Sequence, residues 1–192
     1  MKKILVLNPN SNDKVTAAMD QALDPLRFVN GPHIESMTLA DGPLGIESQA
    51  HVDYVATLVP DKFTEYVDSY HAFVIACFSD PGLFGAREAV NKPVFGIAQS
   101  GLVTAQTLGE RVGVISILDT SIPRHWRYWR MLGQANHVVG DRAINCTVAE
   151  LSDEGRVLSR MIDVGQQLKD EDGAESLLMG CAGMARYRTR VE

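Results

Sequence analysis

Phe73-Val74-Ile75-Ala76-Cys77-Phe78-Ser79-Asp80-Pro81-Gly82 joins an apolar run to a polar, turn-forming segment through a single cysteine. A short apolar run bounded by turn signals reads as a buried strand. The cysteine then stands at the strand's carboxyl end, where open α/β sheets hold their ligands. The pattern returns at Leu177-Leu178-Met179-Gly180-Cys181-Ala182-Gly183. Outward from these two stretches, strands and helices alternate, which predicts an α/β fold of parallel sheets with right-handed crossovers.

In chain order, Lys3–Leu7 reads as a strand and Asn8-Pro9-Asn10-Ser11-Asn12-Asp13 as the loop after it. Ser11 or Asn12 can cap a helix over 14–24. These side chains can instead hold a ligand's carboxylate or carbonyl, and the plainer reading is a turn and a cap. Ile34–Leu39 is the second strand, followed by a Gly/Pro-rich loop over 40–48 that is long enough to cover a pocket. Val52, Val55, Ala56, Val59, Phe63, Tyr66 and Val67 fall at helical spacing. Pro60 should kink or split that helix. After the strand Ala72–Ala76, a helix is expected over Gly82–Val90, a strand over Val94–Ile97 and a helix over 101–109. From Arg111 the pattern restarts, with a strand Val112–Ile117 and a helix opened by Asp119 to Pro123 and running to Leu132. A weaker strand lies within His137–Val148, a helix runs from Ser152 to Lys169, and a strand Ser176–Gly180 leads to Cys181.

The bulk of the chain excludes several classes. Its 192 residues suffice for one large domain or two small lobes with a real core. With 45% hydrophobic and 22% charged residues it is an ordinary globular composition. A net charge of −6 argues against a nucleic-acid or anionic-membrane partner. Three widely spaced cysteines without a CxxC pair make a disulfide framework a poor fit and favour a reducing compartment. Lys2-Lys3 precede only Ile4–Leu7, whereas a signal h-region needs about 7–15 apolar residues. No run approaches the roughly 18 residues of a membrane span. The expected place is the cytoplasm.

Two strand-end cysteines admit two readings. As an acid/base pair, a thiolate removes a proton next to a carbonyl and a thiol returns one, inverting a stereocentre without a cofactor. A cysteine titrates near about 8.5, so neighbouring donors must favour the thiolate. Backbone N–H groups of the glycine-containing loops can stabilise an enolate oxygen. Alternatively both are buried structural cysteines. Cys146 lacks the strand-end setting and reads as structural. The five histidines, His33, His51, His71, His125 and His137, show no HxxxH pair, so no metal site is expected. His51 and His71 read as surface or edge residues. No GxGxxG or Walker A motif signals a nucleotide. Trp126-Arg127-Tyr128-Trp129-Arg130 reads as core aromatics with solvated arginines rather than a base-stacking patch.

Taken together, these motifs resemble the aspartate/glutamate/hydantoin racemase superfamily, and most closely its hydantoin and allantoin branch. Asn8-Pro9-Asn10-Ser11, Ala76-Cys77-Phe78-Ser79-Asp80-Pro81-Gly82-Leu83, Pro93-Val94-Phe95-Gly96-Ile97 and Gly180-Cys181-Ala182-Gly183-Met184 carry the resemblance along nearly the whole chain. It implies two similar Rossmann-like α/β lobes, 1–98 and 99–192, with mostly parallel sheets and the active site in the cleft between them. It further implies cofactor-independent racemisation at C5 of a hydantoin or of allantoin, or at Cα of an amino acid. By the resemblance, Cys77 and Cys181 are the acid/base pair. Asn10, Ser11, Ile46, Phe78, Ser79, Asp80, Ser116, Ala182 and Gly183 would bind the small-molecule substrate, and a homo-oligomer is expected. Three departures stand out: Ser79 in place of a glycine, Gln99 in place of a common acidic residue, and no further strand and helix after Met184. Two alternatives stand beside this reading: a single-cysteine relative of the superfamily (a decarboxylase or a cis-trans isomerase), or, from the third departure, an inactive truncated protein that binds a small ligand.

Overall fold

The computed structural model describes all 192 residues, Met1–Glu192. They divide into two compact units, Met1–Ile97 and Ala98–Glu192.

The first unit holds a four-stranded parallel sheet. Its strands are β1 (Lys3–Asn8), β2 (His33–Thr38), β3 (Ala72–Ile75) and β4 (Val94–Gly96), in the spatial order β2-β1-β3-β4. Helices α1 (Asp13–Ala22), α2 (Gln49–Glu65) and α3 (Leu83–Ala89) connect successive strands. β1 lies between β2 and β3, and Leu5 to Asn8 are all buried. That is why its apolar residues run on without alternation, as they do in sheets covered on both faces. Leu5, Leu7, Phe73 and Ile75 meet Val55, Val59 and Phe63 of α2 in one core. The Phe63 and Phe73 rings stack there with centroids 4.5 Å apart.

The second unit repeats the first three strands of this plan. β5 (Val112–Ser116) lies between β6 (Val138–Ala143) and β7 (Ser176–Met179), all parallel. The central β5 is again buried throughout. α4 (Ile97–Gln106) precedes it, α5 (Ile122–Met131) leads to β6, and α6 (Glu154–Asp170) leads to β7. α6 has 17 residues, the same length as α2. Val157, Met161, Val164 and Leu168 form its buried stripe at helical spacing. A 3₁₀ helix, Ala182–Tyr187, and one turn of helix, Arg188–Val191, follow β7.

Two expectations are corrected. α4 starts at Ile97 rather than near 101, because β4 passes into it without a loop; Ala98, Leu102 and Ala105 then supply its buried face. Pro60 does not split α2, which runs unbroken from Gln49 to Glu65. The surface of α2 around Pro60 packs closely on the segment after β3. Gly82 sits against the Ala56 carbonyl, and Gly85 against the Pro60 ring. The reading of Trp126 to Arg130 holds for Trp129, which is core, and for Arg127 and Arg130, which are exposed; Trp126 and Tyr128 are half-buried, and Arg124 and His125 just before them are buried.

Candidate active site

In the first unit the β1 carboxyl end is shaped by its own asparagines. Asn8 and Asn10 are buried polar residues. Asn8 Nδ2 donates to Asn10 Oδ1 and to Thr16 Oγ1, each at 2.9 Å. Asn10 Oδ1 also accepts the Asn12 N–H at 2.9 Å. Asn12, rather than Ser11, caps α1 by accepting the Lys14 N–H at 3.1 Å. The Ser11 N–H donates to Pro43 O at 2.9 Å, which ties the 40–47 loop to this strand end. Ile46 of that loop is buried in the apolar core with Leu39 and Val52.

The Cys77 turn is built next to it. The Ala76 N–H donates to Leu7 O at 2.8 Å, extending the ladder one residue past β3. The Cys77 carbonyl then accepts the N–H groups of Ser79, at 2.8 Å, and Asp80, at 3.0 Å. Asp80 takes a positive φ of 44°, which aspartate tolerates better than most residues. Gly82, with φ 76°, opens α3 where an L side chain would be strained. Asp80 is 4% exposed, with its carboxylate lying on Cα of Gly96, where a Cβ would overlap it. Phe78 is buried and the Ser79 hydroxyl donates to Phe78 O at 2.8 Å. Cys77 itself is half-buried and packs against the core of the unit.

In the second unit the Gly180 N–H donates to Ile115 O at 2.8 Å, which carries the β5–β7 pairing one residue beyond β7. Cys181 follows in extended conformation, and its carbonyl accepts the Met184 N–H at 3.0 Å. Ala182 and Gly183 are the first residues of the 3₁₀ turn beyond it. A Cβ on Gly183 would stand 3.8 Å from Cys181 Sγ and 2.8 Å from Leu151 Cδ1. Cys181 is half-buried, whereas Cys146 is fully buried beside Arg160.

Ser116, the last residue of β5, is fully buried. Its hydroxyl hydrogen-bonds to Asp141 Oδ1 and lies 3.1 Å from His125 Nδ1. His125 Nδ1 is 2.9 Å from Asp141 Oδ2. Neither His125 nor Asp141 stood out in the sequence. His125 precedes the core residue Trp129 by one helical turn, which marks it as inward-facing. Its partner lies 16 positions away on a strand, at a distance where spacing carries no signal. His71 is exposed as expected. No group of three or more His, Cys, Asp or Glu side chains comes together as metal ligands do, and no helix is long and apolar enough to cross a membrane.

Each unit thus delivers one half-buried thiol, two residues past the end of a parallel strand, into a turn closed by hydrogen bonds to the cysteine's own carbonyl. Comparison with known proteins gives a consistent picture. The family model described as Asp/Glu/Hydantoin racemase matches residues 4–192. The chain is 35% identical over 199 residues to the hydantoin racemase of Rhizobium meliloti, covering 98% of this chain and 79% of that relative. In structure it is similar to the allantoin racemase from Klebsiella pneumoniae, with a TM-score of 0.94 and 25% identity, over 100% of this chain and 78% of that one. The allantoin racemase from Pseudomonas fluorescens shares the fold, with a TM-score of 0.93 and 24% identity over 98% and 80% of the two chains.

Proposed function

The chain belongs to the Asp/Glu/hydantoin racemase family, and from that premise we propose that it is a racemase that inverts a carbon next to a carbonyl, with Cys77 and Cys181 as its acid and base and no cofactor. The substrate class is a 5-substituted hydantoin or allantoin. The observation that carries this reading is the repeated placement of a thiol: β3 and β7 are topological equivalents, and each leads directly to a cysteine.

The chemistry balances without an added reagent. One cysteine, as thiolate, takes the proton from the carbon. The C–H electron pair moves into the adjacent carbonyl, forming an enolate. The other cysteine, as thiol, protonates the opposite face of that carbon, and the pair returns from the oxygen. The enzyme ends with the two protonation states exchanged, ready for the other enantiomer. Donors in the Phe78–Asp80 and Ala182–Gly183 turns hold the carbonyl oxygens as charge develops on them, and Asn10 and Ser11 complete the binding residues of this proposal; Ile46 and Ser116, both buried, stand behind the site rather than against the substrate.

An enantiomer panel of 5-methylhydantoin, allantoin, aspartate and glutamate, followed by polarimetry in deuterated water, tests the reading. Racemisation of a hydantoin or allantoin is expected, with deuterium entering from either enantiomer. Cys77→Ser and Cys181→Ser should each abolish net racemisation. Full racemisation in either variant would overturn the two-thiol assignment, and turnover of a different kind in one of them would point to a single-cysteine reaction.

A further inference from the structure

We propose that Ser116, His125 and Asp141 are a positioning device for Cys181. The inference rests on Cys181 being one of the two reacting thiols. The three side chains come from β5, α5 and β6 and meet in the interior of the second unit, His125 and Asp141 with side chains 3% and 0% exposed. Asp141 Oδ1 accepts the Ser116 O–H, and Asp141 Oδ2 lies 2.9 Å from His125 Nδ1, so each of the three side chains has its partner within the cluster.

On the far side Ser116 is in contact with the strand end that carries the thiol. The Gly180 N–H donates to Ile115 O at 2.8 Å, and a Cβ on Gly180 would stand 2.8 Å from that oxygen and 3.3 Å from Ser116 Cα. Gly180 has no side chain to cushion this approach, and Cys181 is the next residue. A displacement of Ser116 is therefore passed to Cys181 through backbone contacts with little room to absorb it. A buried polar group of this kind is expensive to desolvate and contributes less to stability than apolar packing of similar volume. A fully satisfied network does, however, hold its elements in one arrangement. What it holds here is the β5 end, tied through Ser116 to α5 and to β6 on one side and in contact with Gly180 on the other.

The three cysteines make the test internal to the protein. The full chain is treated with iodoacetamide, and the alkylation rates of the Cys77, Cys146 and Cys181 peptides are followed by mass spectrometry in the native protein and in Ser116→Ala, Asp141→Asn and His125→Phe. The expected result is a Cys181 rate raised about tenfold over Cys77, with buried Cys146 still protected. Ser116→Thr, which keeps a hydroxyl, should return the rate toward native. In racemisation, kcat should fall about ten- to hundredfold, as for a misplaced reacting group, with KM changed far less. An unchanged Cys181 rate in folded Ser116→Ala overturns the proposal. So does a rise of Cys181 and Cys146 together, because that reports loosening of the whole unit and a merely structural role. Ser116→Ala removes a single oxygen and carries the test if Asp141→Asn and His125→Phe do not fold. The alkylation arm needs no substrate, so failure of the racemase reading in the cysteine variants is distinguishable from failure of this one.

Discussion

At the scale of single residues, the Cys77 turn is specified by what is absent as much as by what is present. Asp80 can tuck its carboxylate onto β4 only because position 96 is glycine. Gly96→Ala must push Asp80 out or distort the turn from Phe78 to Gly82. Overpacking of this kind costs about 1–3 kcal/mol, and the loss should appear in urea denaturation together with slower racemisation. An ionisation effect belongs to the same scale. The Tyr70 hydroxyl donates to Glu35, and with Lys3 it holds the Glu35 carboxyl below its usual 4.5. Burial, and then the same hydrogen bond, push Tyr70 up to about 12. A carboxyl with a lowered folded pKa stabilises above its unfolded value, and that contribution is lost as pH falls through the folded one. For Tyr70 the sign is reversed: its contribution is present below its ordinary 10 and lost as pH rises toward 12. Tyr70→Phe should therefore flatten the acid limb of the stability curve as pH falls below about 4.5, relative to the native chain. An unaltered acid limb, measured by denaturant unfolding across that range, would remove Glu35–Tyr70 from the account.

At the scale of elements, α2 and α6 are the two long helices, and each presents its apolar stripe to the sheet of its own unit. The spacing of those stripes was legible in the sequence because a 3.6-residue period survives in one dimension. The consequence of Pro60 was not. Proline removes an N–H and crowds the carbonyl four residues back, yet α2 continues to Glu65, and Gly82 packs so closely on that carbonyl that a Cβ there would stand 2.8 Å from it. Whether a proline ends a helix depends on what packs against it, and the sequence does not show that. The start of α4 at Ile97 was missed for a similar reason. Ile97 is as good a strand residue as a helix residue, and the burial of Ala98, Leu102 and Ala105 decides between them.

At the scale of the whole molecule, each unit has its own core. Phe63 lies at 0% exposure in the first and Met161 at 0% in the second. Phe63→Ala should cost about 3–5 kcal/mol and Met161→Ala about 2–5 kcal/mol. Since Phe63 belongs to a cluster made only of first-unit residues, the double variant should lose the sum to within about 0.5 kcal/mol. A larger coupling, measured in a double-mutant cycle by chemical denaturation, would show that the two cores do not act independently. The sequence by itself determined the alternation of strands and helices, the parallel pairing, the repeat of one plan in two half-chains, and the position of a cysteine just past β3 and β7. All of these follow from local periodicity and turn chemistry, which are written along the chain. Only the tertiary structure decided that Ser116, His125 and Asp141 meet, that Asp80 lies on Gly96, and that Gly180 presses on the end of β5. These contacts join residues 9 to 65 positions apart. Such pairings follow from strand order and side-chain packing in three dimensions, which spacing along one dimension does not encode.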